Sequence, residues 1–163
     1  MPHIPDIPLA AITCFDSWME APEGAVLQMN FEEKLVVVMR GKMMAQGSPS
    51  NCLVVLEGAD AGTVLDGETV GLACAIDITD LVILNVRHPA PTVVKNVTET
   101  PGLLFLTETN EIYMSAKSLG GRWVACIQGQ NPGQVKHGTA GIKTRLGSLS
   151  VLEKNARYGQ EAG

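Results

Sequence analysis

Short apolar runs rich in β-branched residues recur along this chain, and that pattern restricts its fold more than any other feature. Residues 25–31, 34–40, 52–57, 69–76, 81–87, 92–97, 103–107, 111–115 and 122–128 each read as a strand. Turn signals stand between them, among them Arg40-Gly41-Lys42, Gly47-Ser48-Pro49-Ser50-Asn51, Asp66-Gly67, Pro101-Gly102 and Gly120-Gly121. Short strands about 8–12 residues apart with turn residues between them point to an all-β sandwich or barrel. The segments between them carry no helical pattern of ten or more residues, which argues against βαβ units and a parallel nucleotide-binding sheet. Asp66-Gly67 sits between β-forming residues and reads as a two-residue hairpin turn.

The flanks differ from this body. Pro2, Pro5 and Pro8 recur every third residue, the period of polyproline II, which places Ile4 and Ile7 together on another edge. A stiff apolar segment of that kind suits the groove of a partner, so residues 1–12 are expected to form an extended arm, the alternative being an ordered edge of the chain's own domain. Residues 13–21 could hold one or two helical turns before Pro22. Glycines at 129, 133, 138, 141 and 147 mark residues 129–148 as a basic loop or arm. Residues 149–163 read as a short helix and tail, capped by Ser148 or Ser150 and stopped by Gly159. The expected fold is therefore all-β: a mainly antiparallel sandwich or barrel-like body over 13–128, an extended N-terminal arm and a short C-terminal helix.

Charge is divided along the chain. The 163 residues carry a net charge of −5. Residues 1–111 hold 15 acidic and 5 basic groups, whereas 112–163 hold 2 acidic and 7 basic. A cationic end beside an anionic body suits contact with an acidic surface, including that of another copy. Lys136, Lys143 and Arg145, with Pro2, Ile4, Pro5, Ile7 and Pro8, are the candidate assembly contacts. Nucleic acid is the competing partner for these cations, yet no aromatic residue lies between Trp123 and Tyr158 to stack a base. No apolar run reaches the roughly 18 residues of a membrane helix.

Catalytic patterns do not emerge. Cys14, Cys52, Cys74 and Cys126 are widely spaced, with no Cys-x-x-Cys, and three of them sit inside apolar runs as small core residues would. His3, His88 and His137 are isolated from one another and from the cysteines, without metal-ligand spacing. The glycines of 133–138 have the spacing of a phosphate-binding loop, but Thr139 stands where lysine is required. The adjacent carboxylates Glu32 and Glu33 read as turn solvation, since neighbours on a strand face opposite ways. No catalytic, cofactor-binding or metal-ligating residue is assigned, and the chain is not read as an enzyme.

One segment carries a resemblance. Gly102-Leu-Leu-Phe105, the Thr109-Asn110 turn, Ile112-Tyr113 and Gly121-Arg-Trp123-Val form a run of glycine-led strands. Residues 102–125 resemble the hairpin repeat of bacteriophage tail-fibre and other virion structural proteins. Phe105, Tyr113 and Trp123 are expected to stack on one face, with Asn110 in the left-handed turn. The resemblance implies an accessory, decoration or fibre subunit of a tailed phage. Such a subunit is made in the host cytoplasm, located in the virion, and works as a homo-oligomer among other virion proteins. The alternative is a small β-barrel module whose loop 128–148 binds a ligand or nucleic acid. Deletion of residues 1–8 separates arm from body: β-type circular dichroism is expected to stay unchanged while assembly is lost. Normal assembly of the truncated chain would rule out the arm.

Overall fold

A computed structural model describes residues 13–45, 48–86, 101–118, 121–137 and 142–154. The proline-spaced segment 1–12, the strand expected at 92–97 and the tail beyond 154 lie outside the described residues. Among the described residues twelve strands run in the order β1 (Thr13–Phe15), β2 (Val26–Phe31), β3 (Lys34–Ala45), β4 (Ser48–Val55), β5 (Val64–Asp66) and β6 (Ala75–Asp77). They continue with β7 (Val82–Val86), β8 (Leu103–Thr107), β9 (Ile112–Ser118), β10 (Gly121–Gln128), β11 (Gln134–His137) and β12 (Ile142–Glu153). Helix among the described residues amounts to α1 (Gly67–Val70) and two 3₁₀ turns, Trp18–Glu20 and Thr79–Leu81.

The strands form one mixed sheet, not closed, in the order β1-β6-β2-β3-β11-β10-β9-β8-β12-β7, with β4 and β5 branching from β3. Most pairs are antiparallel; β11 runs parallel to β3. The branch arises because β3 is long enough to hold two partners end to end on one side. Residues 34–39 pair with β2 and residues 42–44 pair with β11, while 38–45 pair with β4 on the other side. Gly41 sits where β2 gives way to β11. A Cβ there would stand 2.5 Å from the Gly133 carbonyl oxygen and 3.1 Å from Cys52 Sγ. The Lys42 N–H donates to the same Gly133 carbonyl at 2.9 Å, and the Gly24 N–H donates to the Arg40 carbonyl at 2.8 Å. Only a residue without a side chain lets these backbones meet.

Side chains alternate between the two faces along β2, β3 and β4, whereas β12 shifts register between Arg145 and Ser148, so Leu146 and Leu149 both pack inward. One face supplies the main inner cluster: Met39 and Met43 of β3, Val54 of β4, Met114 of β9, Ala125 and Ile127 of β10, and Leu149 of β12. Because strands from both halves of the sheet enter this cluster, the two halves face each other across it. The opposite face of β2–β4 forms a second cluster around Trp18, Leu27, Val38 and Leu53. The opposite face of β8–β10 forms a third, from Phe105, Tyr113, Val124 and Cys126.

Several expectations give way to longer-range pairing. The Arg40-Gly41-Lys42 turn is instead the middle of β3, because Gly41 serves a close approach rather than a reversal. Residues 129–148 are not one loop: β11 and the start of β12 occupy much of them. Residues 149–153 are extended rather than helical, since all five pair with β7, Leu149 opposite Val86 through Glu153 opposite Val82. Asp66-Gly67 does not reverse a hairpin; the Asp66 carboxylate accepts from the Thr69 N–H at 2.7 Å and caps α1. Bonding to Thr69 holds that carboxyl below its ordinary pKa. Residues 13–15 are strand, and the only turn of helix among the described residues before Pro22 is the 3₁₀ turn at Trp18.

The β2–β3 hairpin does turn at the two glutamates. Phe31 pairs with Lys34, leaving Glu32 and Glu33 as a two-residue loop with φ of 50° and 66°. Left-handed backbone costs a non-glycine residue about 1–2 kcal/mol, and asparagine-glycine is the favoured pair for such a loop. Replacing them together, Glu32→Asn with Glu33→Gly, is expected to raise unfolding stability by about 1 kcal/mol in urea titration. An unchanged midpoint would contradict the turn geometry.

Candidate functional site

The groups with the most chemical capacity lie where packing holds them. Arg40 is the one charged side chain buried among the described residues, at 6% exposure. β3 aims it onto the second cluster, where its guanidinium lies 5.4 Å from the centre of the Trp18 ring. One terminal nitrogen donates to Asn51 Oδ1 at 2.8 Å and to the Met19 carbonyl at 3.4 Å; the other donates to the Gly41 carbonyl. Arg40 Nε has no partner among the described residues. Burial pulls this cation below its ordinary pKa, with Cys52 and Glu23 opposing the shift. A guanidinium stays charged at neutral pH regardless. Its contacts clamp the segment around Trp18 onto β3, and Trp18 Nε1 in turn donates to the Gly71 carbonyl at 2.8 Å.

Neither buried thiol is poised as a nucleophile. Cys52 stands opposite Gly41, and burial pushes its pKa up to about 12. Burial also raises Cys126, with Glu111 adding to the effect. Both remain protonated at neutral pH, the opposite of a reactive cysteine. Tyr113 is raised by burial as well, against the pull of Lys136. Its ring stacks on Phe105 at 6.1 Å and 21°. Trp123 does not join them, because its place on β10 turns it to the inner cluster, where it stacks on His137 at 3.5 Å. Asn110 does occupy the left-handed turn, with φ of 64°.

Two cavities open beside the sheet. One of about 360 Å³ lies between β2 and β12, lined by Gln28, Glu57, Leu81, Val82, Val151 and Glu153. Glu57 is engaged there, accepting from the Val151 N–H at 3.1 Å. The other, about 420 Å³, lies between β5 and β9 and is lined by Thr63, Asp66, Thr69 and Lys117. Neither is lined by a histidine or a cysteine, and the described residues contain no group of three or more metal-ligating side chains.

The candidate assembly residues divide. Lys136 of β11 lies over the Tyr113 ring, 5.2 Å from its centre, and so buttresses the third cluster. Lys143 and Arg145 lie together on β12 and are exposed. Arg145 pairs with Phe105, and partners across a ladder share a face, so Arg145 is on the outer side of the sheet. Pro2, Ile4, Pro5, Ile7 and Pro8 fall outside the described residues. Sequence reasoning missed the apolar part of this surface: Ile83 and Leu152 form a cross-strand pair of β7 and β12, exposed at 43% and 47%. Their neighbours Val82, Leu84 and Val151 pack inward and are apolar too, so the sequence gives no contrast that marks the exposed pair.

The four thiols fall into two classes, and a disulfide reagent reads them directly. Cys14 and Cys74 are exposed, Cys52 and Cys126 buried. Two fast equivalents are expected from the native protein at pH 8 and four after denaturation. A third fast equivalent would contradict the burial of Cys52 and Cys126.

No protein-family model matches the chain, no curated protein matches it, and no solved structure matches it.

Proposed function

We propose that this chain is a structural subunit that works by assembling with copies of itself and with other proteins of a virus particle. It is read as an accessory, decoration or fibre component of the tailed-phage kind, made in the host cytoplasm and incorporated into the virion. The virion part of this reading rests on the hairpin resemblance at residues 102–125. The assembly part rests on one observation: β7, one of the strands that end the sheet, leaves its outer edge unpaired among the described residues. Among the described residues β7 pairs with β12 and nothing else. Soluble proteins blunt such edges with lysine, proline or a bulge. The β7 sequence, Val-Ile-Leu-Asn-Val, has none of these, and Ile83 and Leu152 stand exposed beside its edge.

Magnitudes say what else the contact needs. Covering the remaining exposed part of Ile83 and Leu152 is worth about 2 kcal/mol. Micromolar association needs about 8 kcal/mol. Edge hydrogen bonds, charge pairing and the proline-spaced segment are the further contributions this reading requires.

Light scattering on the full chain at about 20 μM tests the proposal. A stable oligomer, unaffected by added oligonucleotide, is expected. A monomer that binds oligonucleotide with a steep dependence on salt would overturn it in favour of a nucleic-acid-binding module.

A further inference from the structure

The outer surface of the β7–β12 pair combines an apolar centre with positive charge. Ile83 and Asn85 of β7 face Leu152 and Ser150 of β12. Farther along the same side of β12 come Arg145 and Lys143, and Lys154 lies just past the end of the strand. The other half of the sheet presents a surface of the opposite sign. Leu72, at 80% the most exposed large apolar residue described, lies between Gly71 and Ala73. The carbonyls of those two residues accept from Trp18, from its indole N–H and its backbone N–H. Trp18 is flanked by the exposed carboxylates Asp16 and Glu20, and Glu68 stands four residues before Leu72. The halves face each other across the inner cluster, so these two outer surfaces point away from one another.

Resting on the assembly reading, we infer that copies associate head to tail: the β7–β12 outer surface of one copy seats on the Leu72 surface of the next. Charge selects this arrangement over a two-fold one. A two-fold contact through β7 and β12 gathers Lys143 and Lys154 from both copies into one interface, where like charges repel. The head-to-tail contact sets those cations against Asp16, Glu20 and Glu68 around two apolar centres, the arrangement of a dry core and a charged rim. Such a contact is heterologous, so it builds a ring where the rotation closes and a filament where it does not. It also weakens with added salt.

Complementation between two full-length variants tests the geometry. One carries Ile83→Lys with Leu152→Lys and keeps its Leu72 surface; the other carries Asp16→Lys with Leu72→Lys and keeps its β7–β12 surface. All four positions are exposed, and circular dichroism checks that each variant folds. If the first variant unfolds, Asn85→Lys, an exposed position on the same face, replaces it. In sedimentation velocity each variant is expected to be monomeric by itself, and an equimolar mixture is expected to form a dimer that grows no further. The dimer's affinity should lie within about threefold of the wild-type contact. Two results overturn the head-to-tail contact: a mixture that stays monomeric, or either variant assembling by itself like wild type. A monomeric wild type overturns the assembly reading itself, so the two failures are told apart.

Discussion

The structure depends on one crowded point in β3, where Gly41 lets two other backbones reach the same strand. Upstream of it the strand pairs with β2, downstream with β11, and along its far side with β4. Without that junction β11 could not dock, and the path β11-β10-β9-β8-β12-β7 would lose the strand ladder that ties it to the N-terminal half, leaving the inner cluster and smaller ties such as the Thr63–Lys117 bridge. The glycine sits between the Gly133 carbonyl and the Cys52 sulfur with no space for a methyl group. Close packing of this kind is sensitive to single carbons.

The junction produces a sheet folded over an inner cluster, with further apolar clusters on its outer sides. The chemically capable side chains are occupied in holding those layers. Arg40 pins the Trp18 segment, Lys136 covers Tyr113, and the buried thiols are held protonated by their surroundings. The proposed function accordingly draws on the perimeter: a strand edge left unpaired among the described residues, exposed apolar residues, and charge divided between the two halves of one sheet.

Much of the β body was legible because local signals and global pairing agree there. Leu103–Thr107 is a strand with the boundaries its composition suggests, and Asn110 turns the chain after it. Failures cluster where a distant partner decides. Gly41 looks like a turn until the chain near Gly133 is known to lie against it. Residues 149–153 look helical by composition, yet their partners on β7 lie more than sixty residues earlier. Trp123 was expected beside Phe105 and Tyr113, but its register on β10 puts it on the other face. Of the proposed contact surface, Lys143 and Arg145 were visible as charge. Ile83, Leu152 and Leu72 were not, because an apolar residue does not announce its exposure.

The most direct test of the account is the unfolding free energy of Gly41→Ala, measured by urea titration against wild type. A loss of at least about 2 kcal/mol with an unchanged slope is expected, since the added methyl group forces β3 and the chain before β11 apart. Wild-type stability in that variant would mean that β2 and β11 do not meet at Gly41, and the single-sheet account would fail with it.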